Sequence, residues 1–278
     1  MAVQTEITIM GIPIRVFSLE AFAEWMKEAL TGNRMNTVFL MTIPILEHTM
    51  KDDAYAANLK KATLRIPGEE ALLLHHAETM RRKKIATDYR CLRYAIQQQT
   101  QGTTMYIVGD NEQRIKRYMQ YCSQMYPQIE VVGAYCLNVE LTPELIINDI
   151  NIAAPDMVIV MLDSPFQENW IMENASKMCT SVCVGIGGVI GQILNETQPV
   201  PFVFRFLHMN WIYLHVLLPL KEFYGNKRKI RIFKSHLEKY NNKIKLEKEK
   251  KLERKKKKNK SSESPVMDFE EPDEKNHF

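Results

Sequence analysis

Residues 156–170 read Asp-Met-Val-Ile-Val-Met-Leu-Asp-Ser-Pro-Phe-Gln-Glu-Asn-Trp, and the fold follows from how this stretch is read. Met157 to Leu162 are six apolar residues in a row, half of them β-branched, with no polar residue between them. That is too short for a buried helix, and it lacks the alternation of a strand with one wet face. It predicts a strand covered on both sides, as in a parallel sheet. Pro165 and the polar pair Gln167-Glu168 then open a helix at the carboxyl end of that strand.

Moving outward, the same unit repeats. Strands are expected at Asn36–Ile43, Thr63–Ile66, Thr103–Gly109, Glu130–Leu137 and Val182–Gly185, and two short ones surround Gly11-Ile12-Pro13. Between them lie helical patterns: Ser18 capping a helix to Leu30, then Ile45–Ala62, Glu69–Arg82, Tyr89–Gln101 and Asn111–Met125. A further helix starts at Thr142, with Pro143 and Glu144 in its first turn, and another covers Glu168–Met178. Strands alternating with helices predict an α/β fold, a largely parallel sheet with helices on both faces, plus a C-terminal helical appendage. The expected division is an α/β domain over 1–200, an apolar then basic helical appendage over 201–246, and a charged disordered tail over 247–278. Ligands of such sheets bind at the carboxyl ends of the strands, which singles out the loops after Ile43, Ile66, Gly109, Leu162 and Gly185.

The 278 residues are 45% apolar and 25% charged, which excludes a wholly disordered chain. The net charge of +4 conceals three blocks: −4 over residues 1–225, +13 over 226–260 and −5 over 261–278. A mildly acidic body followed by a basic arm excludes a uniformly basic nucleic-acid coat. Five cysteines (Cys91, Cys122, Cys136, Cys179, Cys183) without CxxC spacing read as reduced thiols. The N-terminus lacks the charged region and cleavage site of a signal peptide. Residues 202–220 are apolar but carry Arg205, His208, Asn210 and His215, which suits an interfacial helix better than a spanning one.

Two loops invite chemistry. Gly185-Ile186-Gly187-Gly188-Val189-Ile190-Gly191 misses a dinucleotide fingerprint, because its third glycine falls one place late. Its backbone could approach a diphosphate, or its glycines could serve close strand–helix packing. Gln167 and Glu168 could bond a sugar or uracil, or Ser164 could be a plain N-cap with Trp170 in the core.

The order of these features carries a resemblance. A strand entering Pro165-x-Gln167-Glu168-x-Trp170, a strand entering Gly185-Ile186-Gly187-Gly188, then an apolar segment with Trp211 and Tyr213 resemble the WecG/TagA/CpsF glycosyltransferases of bacteria. The likeness runs from about Ile9 to Tyr224. Gly11-Ile12-Pro13-Ile14, Asp53 through Ala62, Met105–Gly109, Tyr126-Pro127 through Gly133, and Pro201, Arg205 and Leu207 follow the family's other motifs in sequence. The resemblance implies transfer of N-acetylmannosamine or a related hexosamine-type sugar from a UDP-sugar donor. The acceptor would be undecaprenyl-diphosphate-linked, at the cytoplasmic face of the membrane, in cell-envelope or exopolysaccharide synthesis. It implies substrate contacts from Thr42, Asp88, Gln167, Gly185, Gly187, Gly188, Arg205 and Lys221, with no cofactor and no metal.

Departures from the pattern matter. Thr42-Ile43-Pro44 keeps the threonine of T-x-N and loses the asparagine. Pro67-Gly68-Glu69 places Gly68 where the resemblance puts the catalytic aspartate, so Glu69, one residue along, becomes the candidate base; alternatively Glu69 and Glu70 only complement a helix start. Lys84-Ile85-Ala86-Thr87-Asp88 lacks a glycine, Gly191 replaces a usual Asp, and past Trp211 Lys221 is the remaining cation. These changes leave a second reading, a catalytically impaired relative that binds nucleotide sugar or a partner enzyme. His75 and His76 are adjacent on a helix, diverge, and do not read as a metal site. In the arm, Ile230, Phe233, Leu237, Tyr240 and Ile244 recur at helical spacing among cations, which suits an anionic membrane surface. The resemblance suggests self-association, with the oligomeric state open, and specific nucleic-acid binding is not expected.

Overall fold

A computed structural model describes residues 4–76, 86, 88–137, 143–194 and 218–262. In chain order the elements are β1 (Gln4–Ile9), β2 (Ile12–Phe17), α1 (Leu19–Thr31), β3 (Asn36–Met41), α2 (Ile43–Lys51), α3 (Asp53–Lys60) and β4 (Leu64–Pro67). A 3₁₀ turn over Glu70–His76 follows, then α4 (Arg90–Gln97), β5 (Thr103–Gly109), α5 (Glu112–Met125), β6 (Ile129–Cys136), α6 (Pro143–Ala153) and β7 (Met157–Met161). Last come α7 (Phe166–Asn174), β8 (Val182–Gly185), α8 (Ile190–Ile193) and α9 (Leu218–Ser262).

Six parallel strands form the main sheet, in the order β4-β3-β8-β7-β5-β6. The α/β class expected from the apolar strands is therefore the architecture observed. Strand β7 is buried at all five positions. Along it, Met157, Ile159 and Met161 join Val38, Leu40, Leu64, Ile66, Met105, Ile107, Val182 and Val184 in one core beneath α1, α4, α5 and α8. The alternate residues Phe39, Met41, Val158, Val160 and Cys183 are equally buried on the opposite face, where α7 lies on β3, β7 and β8. Each such fully buried aliphatic or aromatic side chain stabilises the fold by about 1.5–3 kcal/mol. The hairpin β1–β2 is a separate antiparallel pair closed by Met10 and Gly11, both at positive φ, the geometry of a two-residue primed turn. Half-buried Arg65 ties it to the sheet through the Pro13 carbonyl at 2.7 Å, while its Nη1 bonds the carbonyls of Leu59, Lys60 and Ala62 at and just past the end of α3.

Several helix expectations are corrected. The single helix expected over 45–62 is two, because Asp52 ends one and starts the next. Its N–H bonds the His48 carbonyl, and its carboxylate accepts from the Tyr55 N–H at 2.9 Å. The described part of the helix expected from Glu69 is the 3₁₀ turn, residues 77–82 lying outside the described set. Ser164 does not cap α7: Pro165 holds the cap position without a side-chain bond, and the Ser164 hydroxyl donates to Glu168 instead.

Gly133 marks a β-bulge on β6, where the pairing with β5 skips Val132. The Tyr106 ring lies across it, and a Cβ there would stand 2.4 Å from the ring. That ring is buried and its hydroxyl donates to Asp149 on α6, so it has nowhere to retreat. Gly133→Ala is expected to lower stability by about 1–3 kcal/mol. Thermal denaturation should show this as a melting point roughly 2–10 °C lower, with the transition still cooperative.

The chain divides into two compact units, Met1–Phe233 and Lys234–Phe278. Helix α9 carries Ile230, Phe233, Leu237, Tyr240 and Ile244 buried or half-buried, while Lys227, Arg228, Arg231, Lys234, Lys239 and Lys243 are exposed. It continues to Ser262, past the border at residue 246 expected for the charged tail. Among the described residues no helix is long and apolar enough to cross a membrane. The apolar segment 202–217 lies outside the described residues.

Candidate functional site

Strand order assembles the site. Thr42, Gln167 and the Gly185–Gly188 run are far apart in sequence, but they leave the carboxyl ends of β3, β7 and β8, three neighbours in the middle of the sheet. The last backbone link across this edge is the Ile186 N–H to the Val160 carbonyl at 2.8 Å.

The glycine run is shaped by close contact. Gly185 is buried beneath the Gln167 amide, and a Cβ there would stand 2.7 Å from Nε2. At Gly187 a Cβ would fall 1.8 Å from the Leu162 carbonyl oxygen, a backbone atom at the end of β7. Gly188 is exposed and faces the Thr42 side chain, with a hypothetical Cβ 3.1 Å from Oγ1. Packing therefore explains Gly185 and Gly187, and Gly188 is the glycine that presents backbone to solvent.

Gln167 and Glu168 are each only 1% exposed, and they form an internal network. The Gly187 N–H donates to Gln167 Oε1 at 2.8 Å, and Gln167 Nε2 donates to Glu168 Oε1 at 2.9 Å. Glu168 also accepts from the Ser164 hydroxyl at 3.0 Å and, on Oε2, from the Tyr55 hydroxyl at 2.9 Å. Burial first, and then the charge of Glu168, push the Tyr55 phenol far above its usual range, so Tyr55 remains a donor. Among the described residues no cation pairs with Glu168. A buried carboxylate held by three neutral donors is satisfied in hydrogen bonds though not in charge.

Thr42 differs from its neighbours. It is 3% exposed, it gives α2 no side-chain cap, and its hydroxyl has no hydrogen-bond partner among the described residues. Beside it, Glu69 accepts a bond from the Ile43 N–H, the first amide of α2, so this carboxylate sits on the positive end of a helix. Gly68 is packed underneath. Its N–H bonds the Met41 carbonyl at 2.7 Å, and a Cβ would stand 2.9 Å from that oxygen and 3.1 Å from Val189 Cγ1.

Asp88 stands at the entrance to α4, where its carboxylate takes the Arg90 backbone N–H at 3.0 Å and the guanidinium at 2.8 Å. These bonds with Asp88 raise the Arg90 pKa. Arg205 lies outside the described residues, as do the side chains of Lys221, His75 and His76. Among the described residues no group of three or more His, Cys, Asp or Glu side chains could hold a metal. Burial pushes the thiols of Cys91 and Cys122 up to about 12, which makes them poor nucleophiles.

The structure thus brings Thr42, Glu69, Gly187, Gly188 and the Gln167–Glu168 pair to one edge. Sequence reading missed Tyr55, whose place on the apolar side of a helix gives no hint of a bond to a distant glutamate.

Comparison with known proteins follows the same span. The family described as "Glycosyl transferase WecG/TagA/CpsF family" matches residues 7–225. An "N-acetylglucosaminyldiphosphoundecaprenol N-acetyl-beta-D-mannosaminyltransferase" of Staphylococcus aureus strain COL is 22% identical over 250 residues, covering 87% of this chain and 96% of that protein. The protein of that name from strain MRSA252 is 30% identical over 125 residues, 45% of this chain and 48% of its own length.

Proposed function

Since the chain belongs to the WecG/TagA/CpsF family of glycosyl transferases, we propose that it moves a hexosamine-type sugar, N-acetylmannosamine-like, from a UDP-sugar to a lipid-diphosphate-linked glycan acceptor. The observation that carries the reading is the Thr42 hydroxyl, buried, unpartnered among the described residues, and set beside the exposed Gly188 backbone at the centre of the sheet edge. A hydroxyl left in that state costs about 1–3 kcal/mol, which a ligand oxygen at the edge would offset. In this reading Thr42 and Gly188 meet the donor diphosphate, and Glu69 takes the proton of the attacking acceptor hydroxyl. Arg205 and Lys221 offset the charge of the departing UDP, and Asp88 helps to shape the sugar site. The basic, apolar-striped α9 suits the anionic inner face of the cell membrane, where a lipid-linked acceptor would be met. Self-association belongs to the same reading.

One observation favours a second reading. Gly68 stands where the family resemblance puts the aspartate, and its surroundings leave no room for a side chain. A protein that keeps the donor site without the transfer step would bind UDP and release none.

The test is calorimetric titration with UDP alongside an assay of UDP release, using UDP-N-acetylmannosamine and a short lipid-diphosphate-N-acetylglucosamine acceptor. Binding with release is the expected result; binding without release supports the second reading, and neither overturns both. Thr42→Val should weaken UDP binding about 5–10-fold, the loss of one hydrogen bond. The same change removes a buried hydroxyl at nearly constant shape, so the melting point should hold or rise. Opposite signs in binding and stability are what a ligand-facing hydroxyl predicts.

A further inference from the structure

We infer that Glu168 and Tyr55 are positioning residues: they fix which way the Gln167 amide points, and the amide in turn holds the Gly187–Gly188 loop in the shape that receives the donor diphosphate. The inference rests on the donor reading above for its ligand, and on geometry alone for the network.

Gln167 cannot itself reach far into a ligand. It is 1% exposed, and both ends of its amide are engaged inside the protein, Oε1 with Gly187 and Nε2 with Glu168. An amide can be turned either way, and what selects one orientation is the character of its neighbours. An ionised Glu168 only accepts, so it must face Nε2; the Gly187 N–H only donates, so it must face Oε1. Were the amide turned over, two acceptors and two donors would confront each other at once. Tyr55 holds the far oxygen of Glu168 from α3, and Ser164 holds the near one from the loop after β7. The carboxylate is thus clamped from two elements, and the clamp reaches Gly187 through Gln167. Gly188 follows directly and lies against Thr42. With Gly187 N–H committed to Gln167, the loop offers the backbone of Gly188 to the ligand.

The deciding experiment exchanges the two side chains. In Gln167→Glu two carboxylates stand within hydrogen-bond distance, which repels unless they share a proton. Tyr55 faces the pair from α3, and behind it stands His48, whose ring meets that of Tyr55 at 6.1 Å. UDP binding relative to wild type at the same pH should fall roughly 30-fold at pH 8.5 and about 5-fold or less at pH 6, as the shared proton restores a donor between the acids. Adding Glu168→Gln to that variant recreates the pattern in reverse. The new amide at position 168 then donates to the new carboxylate at position 167, and that carboxylate accepts from the Gly187 N–H. Binding should return to within about threefold of wild type with the pH dependence gone. Tyr55→Phe, which removes one of three donors, should cost about 3–10-fold. Amide hydrogen exchange at Gly187, measured by NMR without UDP, should accelerate in Gln167→Glu and slow again in the double variant.

If wild type does not bind UDP while the exchange follows this pattern, the donor reading fails and the positioning network stands. If wild type binds UDP and the double variant binds as poorly as Gln167→Glu, or Gln167→Glu binds like wild type, the inference is overturned.

Discussion

Gly187→Ala is expected to lose UDP binding by 100-fold or more and to lower the melting point by roughly 4–12 °C, corresponding to about 2–3 kcal/mol. The new methyl would stand 1.8 Å from the Leu162 carbonyl oxygen and 2.9 Å from Gln167 Oε1. The first is a backbone atom at the end of a strand buried at every position, so the loop must yield rather than the sheet. A yielding loop withdraws the Gly187 N–H from Gln167, and it carries Gly188 away from Thr42. Gly188→Ala is the informative contrast. The nearest atoms to its methyl would be those of the Thr42 side chain, Cγ2 at 3.0 Å and Oγ1 at 3.1 Å, from an exposed position. That change should leave the melting point within about 2 °C of wild type while obstructing a ligand's approach to the Thr42 hydroxyl and weakening UDP binding. Calorimetry paired with thermal denaturation separates the two cases. Equal losses of stability in both variants would show that the glycines matter only to packing.

The contrast between these neighbours shows where sequence reading reaches its limit. Continuous apolar runs identified the strands, and therefore the parallel sheet and the edge to inspect, because a strand buried on both faces tolerates little else. The same uniformity hid the strand order. Nothing in Val182–Gly185 distinguishes a central strand from an edge one, yet the place of β8 between β3 and β7 is what brings Gly188 to Thr42. The glycine run reads equally well as ligand loop or packing device, and the structure accounts for Gly185 and Gly187 by packing while leaving Gly188 exposed. Gln167 drew attention as a polar residue at a strand exit, where polar groups usually meet ligands. One of its partners, Gly187, lies 20 places on, and one of the partners of Glu168, Tyr55, lies 113 back, distances no spacing rule covers. The break at Asp52 was legible in principle, since Asp52-Asp53 is a natural cap, but the apolar spacing ran through it and outweighed the signal.

Glu69→Gln is expected to reduce transfer by 10²–10⁴-fold, the usual span for losing a general base, with UDP binding held within about threefold. Glutamine keeps an oxygen to accept the Ile43 N–H, so the start of α2 and the neighbouring Thr42 should stay in place. What it removes is the capacity to take a proton. The competing role, a carboxylate that only complements the helix N-terminus, is worth about 0.3–1 kcal/mol and would appear in the melting point rather than in turnover. Restoring the family's aspartate cannot substitute for this test. In Gly68→Asp the Cβ would lie 2.9 Å from the Met41 carbonyl and 3.1 Å from the Leu40 carbonyl carbon, both in the central strand β3. Overpacking against backbone costs about 1–3 kcal/mol, and the double variant Gly68→Asp/Glu69→Gln should be less stable than Glu69→Gln alone without regaining transfer. The prediction is checked by single-turnover transfer rates measured beside UDP affinity. If Glu69→Gln transfers as fast as wild type, the base lies elsewhere; if Gly68→Asp restores turnover to it, position 68 can hold the carboxylate after all. Unchanged UDP binding with transfer lost is the result that assigns the chemistry to Glu69, because binding and proton removal are then separated on one side chain.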